Sequence, residues 1–155
     1  MSVRVAKSAG FCFGVSRAVE LVEQAAKAGK KVVTLGPIIH NHHVVDKFRA
    51  LGVEVIDTPE QACPGQTVII RSHGVSRAVY EELQRRGVEI IDATCPFVKR
   101  IHGIVSRAEE EGQLPVIIGT PTHPEVEGIA GWCRDCRVFE TLDCLLYTSD
   151  AADDL

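Results

Sequence analysis

Residues 67–112, TVIIRSHGVSRAVYEELQRRGVEIIDATCPFVKRIHGIVSRAEEEG, decide the fold. A β-branched run (TVII) ends in a small polar turn, and an amphipathic stretch then closes on Gly87. A second such run (VEIID) comes next, and a longer amphipathic stretch closes on Gly112. Short apolar runs alternating with helical periods are the pattern of a strand–helix alternation. The alternation continues outward in both directions. On the N-terminal side lie VRVAK (3–7), SRAVELVEQAAKAG (16–29), KVVTLG (31–36), HHVVDKFRALG (42–52) and VEVI (53–56); on the C-terminal side lie PVIIG (115–119) and HPEVEGIAGW (123–132). An α/β fold with a mainly parallel sheet is predicted. Gly29, Gly52, Gly87 and Gly112 each come just after a helical pattern, where a left-handed cap residue is wanted.

The chain has 155 residues, 45% apolar and 25% charged, with a formal net charge of -4 and no run of Lys or Arg. That length holds one ordinary core and part of a second. The charge gives no footprint for a nucleic-acid backbone or an anionic membrane, so neither is expected as a partner and small-molecule chemistry is. Apolar stretches fall short of a membrane span, and MSVRVAKSAG lacks the apolar core of a signal peptide, which makes a cytosolic protein the expectation. Six cysteines in a reducing compartment point to metal or redox chemistry ahead of disulfides.

Open parallel α/β sheets bind ligands outside the C-terminal ends of their strands. The segments just past the predicted strands are therefore informative: AGFCFGV with Cys12, PIIHNHH with His40, SHG with His73, ATCP with Cys95, and TPTHPEVEG with His123 and Glu125. A single cysteine is most often a small buried hydrophobe and a single histidine a surface residue, but the same chemistry at every strand end is harder to assign to chance. Cys12 and Cys95 each precede a predicted helix, whose N-terminal N–H groups and dipole favour the thiolate that metals require. The same helix starts, with Gly10, Gly14 and Gly74 permitting close backbone approach, suit an anion such as diphosphate. His42, His43 and His102 are assigned to the surface.

The segments SAGFCFGVSRAV, LGPIIHNHHVV, IIRSHGVS, DATCPFV and GTPTHPEVEGIAGW resemble, in order and spacing, the signatures of the 4-hydroxy-3-methylbut-2-enyl diphosphate reductase (LytB) family, over residues 2 to about 143. The resemblance implies a cytosolic three-lobed α/β enzyme with mainly parallel sheets. Its [4Fe–4S] cluster takes one cysteine from each lobe and leaves one iron open to the allylic hydroxyl of the substrate. Carried onto this chain, Cys12 and Cys95 are two cluster ligands, and His40, His73 and His123 surround the diphosphate. Glu125 is the implied proton donor, and its ordinary alternative is a carboxylate favoured at a helix start. Thr94 could cap the helix after it or hydrogen-bond a cluster sulfur. The implied reaction removes the hydroxyl as water with two electrons and two protons, giving isopentenyl and dimethylallyl diphosphates, with ferredoxin or flavodoxin as electron donor.

On this reading residues 1–95 form a complete first lobe and residues 96–143 the start of a second. The third cysteine and a Ser-x-Asn segment that grips the diphosphate belong to a third lobe that the chain does not reach, so the fragment itself is expected to be inactive. Residues 144–155 break the pattern: CLLYTSDAAD resembles the conceptual translation of a transposon-derived sequencing adapter, and no helical or strand period continues into it. Two other readings compete. Cys133 and Cys136 form a C-x-x-C that suits a small thiol-redox or zinc-binding module, although both come after the last helical stretch and so fall at its far end. A non-catalytic phosphate-binding domain would keep only the histidines.

Overall fold

The computed structural model describes residues 2–39 and 41–150. Four parallel strands, β1 (Val32–Leu35), β2 (Glu54–Ile56), β3 (Thr67–Ile70) and β4 (Glu89–Asp92), form a sheet in the order β2-β1-β3-β4. The inner strands β1 and β3 are buried at every position, as a parallel sheet covered on both faces requires. One face is covered by α1 (Phe13–Lys27) and α2 (His42–Ala50), where Ala18, Val22 and Ala25 of α1 and Phe48 of α2 meet Val32 and Ile69. The other is covered by α3 (Arg77–Arg85), whose Leu83 packs with Val33, Leu35, Val68 and Ile70. Alternate strand residues thus feed opposite cores, the two-residue period of a strand.

A second unit comes after β4. Helix α4 (Pro96–Glu110) leads to a two-stranded parallel sheet, β5 (Val116–Ile118) and β6 (Arg137–Phe139), with α5 (Pro124–Ala130) between the strands. Val98 and Val105 of α4 pack on Ile129 of α5, with Ile117 and Trp132 alongside. Among the described helices none is long and apolar enough to cross a membrane.

The α/β architecture with parallel pairing agrees with the periodicity, and Gly29, Gly52, Gly87 and Gly112 all take positive φ. One expectation fails, and two elements go unforeseen. VRVAK is not a strand: Val3 is 90% and Val5 80% exposed, and no ladder partner meets them among the described residues. A strand exists only by pairing, so β composition alone cannot make one. The tail does carry regular structure, a helix α6 (Leu142–Asp150) that touches β6. Strand β6 itself leaves no sequence signal, because three residues between turns are too short to show a period.

The strand order reverses between β1 and β3: the chain runs one way from β1 to β2 and the other from β3 to β4. The loops leaving the C-terminal ends of β1 and β3 therefore lead to opposite sides of the sheet, and they touch where they start, Ser72 Oγ donating to the Ile38 carbonyl at 3.4 Å.

Candidate functional site

Cys12 and Cys95 are the N-cap residues of α1 and α4, each a helix of 15 residues, and neither side chain is engaged as a cap. Cys95 holds the N-cap, so Thr94 does not; Thr94 is buried, and its N–H donates to Asp92 Oδ1 at 3.0 Å. Pro96 at N1 fits, since that position needs no donor. Both thiols are free, Cys12 exposed and Cys95 half-buried. They stand at the positive ends of two long helices.

Those two helix starts are held together. A Cβ placed on Gly14, in the first turn of α1, would lie 2.7 Å from Cys95 Sγ and 3.1 Å from its Cβ, so Cys95 occupies the space that glycine leaves. Arg17, one turn further along α1, donates to the carbonyls of Thr94 at 3.3 Å and Asp92 at 3.2 Å. Asp92 is opposed by burial, which raises its carboxyl, but the Lys99 hydrogen bond at 2.6 Å and two from Thr94 outweigh that and hold it below the usual carboxylate range. The carboxylate that holds Lys99 and the Thr94 N–H is thereby kept charged at neutral pH.

The histidines gather on the same edge. The Cys95 N–H donates to the carbonyl of Ser72, at 2.9 Å, and His73 is the next residue in the loop leaving β3. His73 and His123 face each other edge-on, with ring centroids 5.8 Å apart. His123 caps α5, its Nδ1 accepting from the Glu125 N–H at 3.2 Å, which puts the proton of a neutral imidazole on Nε2. Glu125, in the first turn of α5, is half-exposed. His40 lies outside the described residues. The structure thus sets Gly14, two residues after Cys12, against Cys95, and His73 against His123, the N-cap two residues before Glu125, while the Ser72 carbonyl ties Cys95 to the loop that carries His73.

Two details depart from the sequence reading. Of the glycines expected to admit an anion, only Gly10 has open space; Gly14 is filled by Cys95 and Gly74 by His102. His102 is not a surface residue: it is 4% exposed, stacked on Trp132, and burial pushes its pKa below the usual histidine value. His42 and His43 are exposed as expected. Sequence reasoning misses Gly14, Arg17 and His102 as parts of the framework of this edge. Only His102 leaves a signal, the spacing Val98, His102, Val105 that marks the buried face of α4.

Two thiols at helix N-termini in adjoining elements fit two ligand positions of an iron–sulfur cluster. Among the described residues no group of three His, Cys, Asp or Glu side chains is placed to hold a metal, so a third ligand is not supplied here. Cys133 and Cys136 do not fill the gap. They lie past the C-terminal end of α5, opposite to His123. Burial first, then the neighbouring Cys136, pushes the Cys133 thiol up to about 11, so without a metal it stays protonated at neutral pH. A cavity of about 530 Å³ under α2, lined by Thr34, Ile38, Phe48 and Arg49, contains none of the residues on this edge.

Comparison with known proteins agrees with the fold. A family model described as LytB protein matches residues 3–152, a range that includes part of the tail. The 4-hydroxy-3-methylbut-2-enyl diphosphate reductase of Thermoanaerobacter sp. (strain X514) is 47% identical over 139 residues, covering 87% of this chain and 48% of that protein. A solved structure of (E)-4-hydroxy-3-methyl-but-2-enyl diphosphate reductase, the terminal enzyme of the non-mevalonate pathway, superposes with a TM-score of 0.78 at 44% identity, over 91% of this chain and 52% of that one. The reductase of Plasmodium falciparum superposes with a TM-score of 0.85 at 30% identity, over 90% and 44%. The chain spans about half the length of the curated relatives it matches. With the family match running nearly end to end, the chain belongs to the LytB family.

Proposed function

We propose that this chain supplies the N-terminal part of a cytosolic 4-hydroxy-3-methylbut-2-enyl diphosphate reductase. In that reaction the substrate takes up two electrons and two protons and loses its allylic hydroxyl as water, giving isopentenyl or dimethylallyl diphosphate. The observation that carries the reading is the single edge on which the Cys12–Cys95 helix starts adjoin the His73–His123 pair. Cys12 and Cys95 hold a [4Fe–4S] cluster from two sides, and the third cysteine comes from the part of the relatives' length that this chain does not span. Once bound, the cluster supplies the electrons singly, from a small donor protein such as ferredoxin or flavodoxin, together with a Lewis-acidic iron.

The chain's own side chains do the rest. His73 and His123 donate ring N–H groups to the diphosphate, and His40 is a third donor on the same reading. Capping at Nδ1 leaves His123 Nε2–H for that role. Glu125, two residues along, carries on its carboxyl the proton that leaves with the hydroxyl. Residues 1–95 and 96–143 correspond on this reading to a first lobe and the start of a second, a division supported by the two separate sheets. The apolar side chains exposed near the cysteine edge, Phe11, Phe13 and Phe97, are then covered by the remaining lobe.

The test joins this chain to the portion of the Thermoanaerobacter relative lying beyond the match, with anaerobic reconstitution of the joined polypeptide and of the chain alone. Stoichiometric iron and sulfide, and turnover of the diphosphate substrate, are expected only in the joined protein. Both are expected to vanish with Cys12→Ser or Cys95→Ser, since serine offers iron a poorly acidic hydroxyl in place of a soft thiolate. Full turnover in either variant would remove the cysteine assignment. An active cluster in the chain alone would mean the third ligand lies within it, with Cys133 or Cys136 the candidate.

A further inference from the structure

The turn that presents His73 is gripped by three side chains that the proposed reaction does not use. Gly74, with φ +77°, sits against His102: a Cβ there would meet His102 Cε1 at 2.7 Å and Nε2 at 3.2 Å. The His102 ring is stacked on Trp132, centroids 5.1 Å apart and planes 16° from parallel. Trp132 in turn donates its indole N–H to the carbonyl of Val75, at 2.8 Å, so it holds the residue after Gly74. Arg77 closes the group: its guanidinium lies 5.6 Å from the Trp132 ring and donates to the Trp132 carbonyl at 3.2 Å and to Ser106 Oγ at 3.1 Å. From the α5 side, a Cβ on Gly128 would lie 3.5 Å from the His73 carbonyl oxygen, ordinary van der Waals contact between helix and turn.

We propose that His102 and Trp132 are positioning residues that clamp the His73–Gly74–Val75 turn onto α5, and by doing so set the spacing between His73 and His123. The two histidines come from different units, one after β3 of the large sheet and the other at the start of α5. Their rings meet edge-on, and a packed path ties the two backbones together through Gly74, His102, Trp132 and Val75, with Trp132 two residues past the end of α5. The proposal rests on the reading that His73 and His123 bind a diphosphate, and it adds what makes their separation definite. Residues that clamp a recognition pair act on affinity through pre-organisation, without touching the ligand.

The experiment compares His102→Phe, Trp132→Ala and the milder Trp132→Phe with Val22→Ala, a fully buried change in the other core. Each variant of the chain is checked for folding by circular dichroism. Its histidine ring-proton shifts are recorded by NMR, and its affinity for inorganic diphosphate is measured by titration calorimetry. Expected is a loss of affinity of tenfold or more in Trp132→Ala, a smaller loss in Trp132→Phe and His102→Phe, and displaced His73 and His123 shifts in all three, with Val22→Ala leaving both readouts in place. An equal loss in Val22→Ala, or unmoved shifts in the folded clamp variants, would overturn the clamp. If the unaltered chain fails to bind diphosphate, the affinity comparison moves to the joined polypeptide, where absence of binding ends the diphosphate reading, and the ring shifts alone decide the clamp. Should Trp132→Ala not fold, the two phenylalanine variants carry the same comparison.

Discussion

Gly14→Ala tests the meeting of α1 and α4 at a single methyl group. An alanine in a helix is ordinarily worth up to about 1 kcal/mol over glycine, because it loses less backbone entropy. At Gly14 the added carbon would stand 2.7 Å from Cys95 Sγ, 3.1 Å from its Cβ and 3.7 Å from its Cα. Contacts between heavy atoms settle at about 3.5–4.0 Å, so the sulfur must retreat by roughly 1 Å or the helices must part. Overpacking of this kind costs about 1–3 kcal/mol, which cancels the helical gain and leaves the variant between neutral and about 2 kcal/mol destabilised. Gly103→Ala is the matched control: Gly103 also lies in a helix, and a Cβ there meets nothing within 4 Å, so it should gain up to about 1 kcal/mol. Urea denaturation of both variants measures the difference. The rate at which a maleimide modifies Cys95, in a chain whose other cysteines are serine, reads the displaced sulfur directly. If Gly14→Ala gains stability as Gly103→Ala does and leaves that rate unchanged, the two helix starts do not adjoin and the paired-ligand argument loses its geometry.

Leu83 is wholly buried between α3 and the sheet, and Leu83→Ala should cost about 2–5 kcal/mol in the same denaturation assay. Glu125→Gln in the joined polypeptide should leave substrate affinity intact and slow single turnover by roughly 100-fold, while unchanged turnover would return Glu125 to a helix-start carboxylate. His102 is neutral in the fold because burial depresses its pKa, so the unfolded chain binds the proton first. Stability is therefore undiminished above the ordinary histidine value of 6.5 and declines as pH falls from there toward the depressed native value. His102→Phe should flatten that part of the stability–pH curve, and an unaltered curve would assign the slope to other groups. Since Cys133 and Cys136 are joined by no third ligand among the described residues, replacing them together by serine should leave zinc uptake by the chain unchanged.

The parts of this molecule that are legible in its sequence are those set by local period. TVII and VEIID are β-branched runs bounded by turns and pair with each other as strands, and Leu83 repeats the helical spacing that buries it. Features that depend on a partner are not legible. VRVAK has the same composition as the strands that form, yet Val3 and Val5 stand exposed with no ladder beside them among the described residues. His102 shows the converse error, in which residue type overrules spacing. Val98, His102 and Val105 share the inward face of α4, and the imidazole is buried with them.

The candidate site divides along the same line. Which residues end each strand can be read from the alternation, so His73, Cys95 and His123 collect at one edge on periodicity alone, whereas Cys12 follows VRVAK, which forms no strand. Which of them touch depends on contacts between residues 77 positions apart, as in Arg17 reaching the Thr94 carbonyl, and on where a missing side chain leaves room. Gly14 and Gly74 are expected to admit an anion by baring their backbone. They instead admit Cys95 and His102. A glycine beside a site reports that something approaches closely, and only the fold decides whether that something is a ligand or another part of the chain.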